Sequence, residues 1–294
     1  MRILVGSDLG PASDEALSRA ISLALAKQAD LAVCHVLPDP QLLSFFPAEH
    51  ERDLEALANL EKRMTAALRE QVERLSGGVV PPLTLFVERG SAYSELVDRA
   101  EKWGADLIVV GNHGRADLKH LFFDSVAQKV ARYAPCSALV VRRGVEGVVL
   151  VATDLSDPAQ LALTAGAREA SRRQRRLVVV HVSDTLARRT APAMALLGAN
   201  PTVEPPEVAN QRDELARQII ETSLKSLNAE ADIRLVSGDP SEEILRLIVS
   251  LPAELLVLGT RGRSNVRRIM LGGVATHMVE RAPCSVLAVR SQLP

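Results

Sequence analysis

The chain has 294 residues, 47% of them hydrophobic and 24% charged, with a formal net charge of −1. That balance excludes the broad basic face of a general nucleic-acid or membrane-surface binder, and the length points to two domains at roughly 100 to 200 residues each. No apolar run approaches the roughly 20 residues of a membrane span, and the opening MRILVGSDLG turns polar too soon for a secretory signal.

In chain order, RILVGS from Arg2 is a short apolar run that fits a strand buried on both faces. ASDEALSRAISLALAKQ follows, with Ala16, Ala20, Leu23 and Ala24 at helical spacing, then the apolar run LAVCHVL. A charged amphipathic segment over residues 49–76 comes next. It is followed by PLTLFVE, a helix opened at Gly90-Ser91, DLIVVG, a last helix and the closing strand SALVVRR. From Val148 the same order begins again with VVLVATDLSDPAQ, where Asp157-Pro158 fits an N-cap with proline at the first helical position. The registers coincide: Asp8 with Asp154, His35 with His181, Val36 with Val182, at an offset of 146 residues that becomes 148 after the central region. Such a repeat predicts a duplicated domain, residues 1–144 and 145–294. Alternating strands and helices predict an α/β fold, a parallel sheet covered by helices in each copy. Ligands in such sheets sit beyond the carboxyl ends of the strands, where the strand order reverses.

Those ends carry a duplicated glycine layout, GNHGRADLKHLFFDS from Gly111 to Ser125 and GTRGRSNVRRIMLGG from Gly259 to Gly273. In the second, a strand ends in Gly259-x-x-Gly262, and basic residues then lead to a helix headed by Gly272-Gly273. That arrangement makes a cradle of main-chain N–H groups for an anion such as phosphate. Arg261 and Arg263 add charge-assisted contacts to phosphate oxygens, and His113 is the counterpart of Arg261 in the first copy. No Gly-Lys dipeptide and no Gly-x-Gly occur, which excludes a P-loop and the dinucleotide fingerprint. Asp8 and Asp154 stand without a partnering base at a telling spacing, so they are assigned to ligand orientation and no catalytic residue is named. No metal-ligand spacing exists. Cys34, Cys136 and Cys284 fit reduced core thiols of a cytoplasmic protein, and His35 and His181 fit structural roles near strand ends. The basic run SRRQRR, Ser171 to Arg176, reads as a solvated face that complements a helix dipole.

An Asp ending the first strand, His-Val near the end of the second, and Gly-x-x-Gly followed after nine residues by Gly-[Ser/Thr] resemble the universal stress protein family. The ending APCSVLAVR does so too. Two copies spanning nearly the whole chain resemble its tandem members. The resemblance implies Rossmann-like domains of the adenine nucleotide alpha hydrolase type, each a five-stranded parallel sheet. It further implies that the copies pair through their last strands as an intramolecular pseudo-dimer, and that tandem chains form a homodimer. The implied function is a cytoplasmic stress-response regulator that binds ATP or another adenine nucleotide, with no nucleic-acid or membrane partner and with a protein partner yet to be identified.

Carried onto the second copy, Asp154 meets the adenosine portion, the Val182 main chain reads the adenine edge, and Gly259, Gly262, Gly272 and Gly273 hold ribose and phosphates. Ala152, Thr153, Leu258 and Val274 flank them. Gly273 departs from the pattern, because a Ser or Thr hydroxyl is missing there, which counts against Mg²⁺ and tight triphosphate binding. The first copy has Asp124 in place of the helix-head glycine, although Ser125 keeps the hydroxyl. A carboxylate there caps the helix and repels phosphate. The degenerate site of Asp8, Val36, Gly111, His113, Gly114 and Ser125 is therefore expected to bind weakly or not at all. Two alternatives stand beside this reading, a nucleotide-independent scaffold and a slow ATPase, the latter weakened by the missing base and hydroxyl.

Overall fold

The computed structural model describes residues 1–38, 50–112, 125–144, 146–183, 196, 205–260 and 271–290, with the backbone alone for 50–57. The chain divides into two compact units, Met1–Arg143 and Gly144–Arg290. In the first, β1 (Arg2–Gly6), α1 (Pro11–Lys27), β2 (Asp30–Leu37), α2 (His50–Ser76) and β3 (Leu83–Arg89) come first. They are followed by α3 (Ala92–Trp103), β4 (Leu107–Gly111), α4 (Val126–Tyr133) and β5 (Ser137–Val141). The second unit runs β6 (Val148–Thr153), α5 (Asp157–Arg173), β7 (Leu177–Ser183), α6 (Pro206–Ser226) and β8 (Asp232–Ser237). It ends with α7 (Pro240–Ser250), β9 (Ala253–Gly259), α8 (Gly273–Arg281) and β10 (Ser285–Val289).

Within the first unit the strand order is β3-β2-β1-β4-β5, and within the second β10-β9-β6-β7-β8. Every pairing inside a unit is parallel, as in Gly6 beside Cys34 and Thr153 beside His181. Chain order therefore reverses between β1 and β4, and between β6 and β9, which opens a crevice at the carboxyl ends of each pair. Central strands are sealed on both faces: Ile3, Leu4 and Val5 of β1, and Leu255, Leu256 and Val257 of β9, have no exposed surface. That explains why these strands read as continuous apolar runs rather than alternating ones.

Helix ends also repeat. Gln28 and Gln174 cap α1 and α5 in the left-handed region, at φ 50° and 53°. One start differs from the sequence expectation: the N-cap of α5 is Ser156, not Asp157, and Pro158 falls within the first turn. The N–H and Oγ of Ser156 both donate to Asp154 Oδ1, at 3.1 and 2.5 Å, which holds Ser156 out of the helix.

All three cysteines are free and buried. Burial, followed by the charge of Glu88, pushes the Cys34 thiol up to about 12. Almost no thiolate exists at neutral pH. Iodoacetamide is accordingly expected to label Cys34 only in the denatured chain. Mass spectrometry after a native pulse checks this, and rapid native labelling would contradict it.

Candidate functional site

The crevice of the second unit is built on the loop after β6. Leu155 sits at φ 65°, a left-handed conformation unusual for a branched side chain. Two groups hold it there: Thr153 Oγ1 accepts the Leu155 N–H at 3.1 Å, and Asp154 Oδ1 accepts from Ser156. The first unit repeats the device. Leu9 stands at φ 63°, Ser7 Oγ accepts its N–H at 3.1 Å, and Asp8 Oδ1 accepts the Gly10 N–H at 2.9 Å. Each aspartate thus shapes its own loop with Oδ1, a role beyond the ligand orientation read from sequence. The same left-handed leucine thus stands at the carboxyl end of the first strand in both units.

The histidines brace the same loops. Nδ1–H of His181 donates to the Thr153 carbonyl at 2.9 Å, and Nδ1–H of His35 to the Ser7 carbonyl at 2.8 Å. A carbonyl only accepts, so Nδ1 carries the proton in each ring. In the first unit a further brace runs from α2. Ser7 Oγ donates to the buried Gln71 at 2.8 Å, and Gln71 Nε2 donates to Asp14 at 2.7 Å, where Arg74 also binds. Burial alone raises the Asp14 carboxyl, but the hydrogen bonds from Arg74 and Gln71 outweigh it and leave it below its ordinary value. Among the described residues no such brace reaches Thr153.

The helix heads are where the two units part. α4 opens with a complete capping box: Ser125 Oγ accepts the Gln128 N–H at 3.2 Å, and the Gln128 side chain accepts the Ser125 N–H at 2.8 Å. Two of the donors that would meet a phosphate, the N–H groups of Ser125 and Gln128, are already used within the protein. α8 has no side-chain cap. Its N-cap is Gly272, whose N–H donates to the Thr260 carbonyl at 2.9 Å while its own carbonyl accepts the Thr276 N–H at 2.8 Å. Gly273 is exposed, and among the described residues nothing lies within 4 Å of where its Cβ would stand. Among the described residues, then, nothing caps the first-turn N–H groups at the positive dipole end of this helix. In the first unit Ser125 is the N-cap of α4, and Asp124, expected to cap it, lies outside the described residues.

Ala152, Thr153 and Asp154 lie at the end of β6, Val182 near the end of β7, Leu258 and Gly259 at the end of β9, and Gly272, Gly273 and Val274 at the head of α8. All belong to the carboxyl side of the β7-β6-β9 trio. Val182 lies one residue past the last β6–β7 pair, Thr153 with His181. Arg261, Gly262 and Arg263, and in the first unit His113 and Gly114, lie outside the described residues. Val36 and Ser125 take the matching places in the first unit. Gly111 has a packing role there, because a Cβ on it would stand 2.2 Å from the Ala12 carbonyl oxygen. Gly111→Ala should destabilise the chain by about 2 kcal/mol or more, since main chain must yield. Urea unfolding measures this, and a change within experimental error would refute it. Thr260, which ties β9 to the α8 head, was missed in sequence. Its signal was only its place directly after the strand glycine.

Among the described residues no group of His, Cys, Asp and Glu is arranged to hold a metal, and no helix is long and apolar enough to cross a membrane.

Each unit is thus a doubly wound α/β domain with its crevice at the strand carboxyl ends. The model of the universal stress protein family matches residues 1–142 and again 147–290, and the chain belongs to that family as a tandem, two-domain member. A universal stress protein of Thermus aquaticus is 34% identical over 143 residues, covering 48% of this chain and 97% of its own. A universal stress protein structure from Archaeoglobus fulgidus covers 98% of both chains with a TM-score of 0.68 at 18% identity. A universal stress protein solved in complex with cAMP is 26% identical, covering 48% of this chain and 97% of its own, with a TM-score of 0.40.

Proposed function

We propose that this chain is a regulatory protein that binds an adenine nucleotide in its second unit, while the first unit closes its own equivalent seat. The observation that carries this reading is the contrast between the two helix heads. One carries a capping box of Ser125 and Gln128, and the other is a Gly272-Gly273 turn with no side-chain cap and, among the described residues, no neighbour over Gly273. Free N–H groups at a helix head favour phosphate. The choice of adenine follows from the family pattern: Asp154 at the adenosine portion and the Val182 main chain at the base edge. The missing hydroxyl at Gly273 supports binding without strong Mg²⁺ dependence, and no residue at the cleft is assigned a hydrolytic role. Three free buried thiols fit a reducing compartment such as the cytoplasm.

Mass spectrometry of ligand released on denaturing the purified chain tests the reading, together with calorimetric titration of ATP, ADP and AMP. One adenine nucleotide per chain is expected. A chain that carries none and binds none of the three is the nucleotide-independent scaffold instead.

A further inference from the structure

At the opposite end of the second unit, where β7 and β8 begin, an open groove of about 1100 Å³ lies between the carboxyl ends of α5 and α6. Four guanidinium groups line it, from Arg168, Arg172, Arg175 and Arg176. The duplication supplies a control for whether the fold needs them. At the offset of 146 residues, the first copy places Ser22, Ala26, Ala29 and Asp30 at these positions. Both helices nonetheless end in the same left-handed glutamine. The arginines are therefore additions to the second unit, not requirements of its architecture.

The four divide into two kinds. Arg172 is paired with Glu169, and Arg175 with Glu146 and Glu254. Arg168 and Arg176 are exposed, and among the described residues neither meets a carboxylate. Complementing the helix dipole accounts for a basic residue in the last turn, as at Arg172. It does not account for Arg168, one turn earlier, or for Arg176, past the helix end. Of the acids on the walls, Asp232 is held by Arg234 at 2.8 Å, and Glu230 is exposed.

We propose that this groove docks an extended acidic segment of a partner protein. Carboxylates of the segment meet Arg168 and Arg176, and apolar side chains between them rest on the half-buried Leu227 and Ala231. The guanidinium fork matches a carboxylate in bidentate geometry. The groove is open to solvent, and its walls intersperse guanidinium with apolar surface. A compact inorganic anion would leave that apolar surface uncovered, whereas an alternating chain covers both.

Fluorescence anisotropy of the full chain with a fluorescein-labelled peptide alternating Glu and Leu tests the proposal. The informative variant is Arg168→Ser with Arg176→Asp, which installs the residues the first copy uses. Saturable binding is expected, weakened about tenfold or more in this variant and in the matching Gln-Leu peptide. Because both arginines are exposed, the variant should keep the thermal midpoint of the wild type, which separates lost contacts from lost fold. Absence of saturable binding, or equal binding by the variant, would overturn the proposal. So would a short polyphosphate or single-stranded oligonucleotide that displaces the peptide at lower concentration than unlabelled peptide does.

Discussion

Arg173→Ala is expected to destabilise the second unit by about 3 kcal/mol or more, the range for removing one partner of a buried ion pair. The Arg173 side chain is 6% exposed, with Nε 3.1 Å from Glu169 and Nη1 bonded to Glu254. Glu169 sits near the end of α5 and Glu254 at the start of β9, so one guanidinium joins helix to sheet. Its loss leaves two largely buried carboxylates facing each other, with Arg172 and Arg175 only partly offsetting them. Arg173→Lys keeps the charge but cannot fork to both acids, and should fall between.

The same cluster sets an acid limit. Burial alone raises the Glu169 carboxyl, but hydrogen bonds and charge from Arg172 and Arg173 outweigh it and hold it below its ordinary 4.5. In the unfolded chain the carboxyl returns to its ordinary value, so over the interval between the two the unfolded state binds more protons and stability falls as pH drops. The contribution is complete above the ordinary glutamate value and is lost as pH descends through the folded one. Urea unfolding at neutral pH, with thermal midpoints followed into acid, measures both effects. A loss below about 1 kcal/mol, the size of an exposed pair, or an unchanged acid slope in Arg173→Ala, would refute this account.

That cluster also shows where the sequence stops being informative. SRRQRR reads as a solvated basic face, yet Arg173 is buried by a glutamate 81 positions away, and no local pattern announces such a partner. The strands were legible because burial on both faces leaves an uninterrupted apolar run, as in Leu255 to Val257. The duplicated cleft was legible because Asp8 and Asp154 hold the same loop in both copies. The left-handed Leu9 and Leu155 were not, since leucine carries no turn signal. Their cause is a hydroxyl two residues earlier that is Ser7 in one copy and Thr153 in the other. The cap of α4 was within reach: Ser125-x-x-Gln128 is a capping-box pattern, but the neighbouring Asp124 drew the assignment toward charge.

Gly272→Asp is expected to weaken nucleotide binding by about a hundredfold or more while leaving the chain as stable as before or slightly more so. Gly272 sits at φ −61° and ψ 156°, a conformation any residue adopts, and among the described residues a Cβ there meets only the Thr260 carbonyl at 3.7 Å, an ordinary contact. Aspartate is a good N-cap, so its carboxylate accepts the first-turn N–H groups of α8 and improves the helix by a few tenths of a kcal/mol over glycine. The same carboxylate occupies the seat proposed for phosphate. Two like charges about 4 Å apart repel by about 4 kcal/mol at an effective dielectric of about 20, enough for the stated loss after partial screening. Gly272→Ser separates the two effects, because it caps without charge and should weaken binding about tenfold or less. Calorimetric titration with ADP, run beside thermal melts, reads affinity and stability on the same samples. Full-affinity binding by a folded Gly272→Asp chain would place the phosphates elsewhere and remove the basis for assigning the nucleotide to this helix.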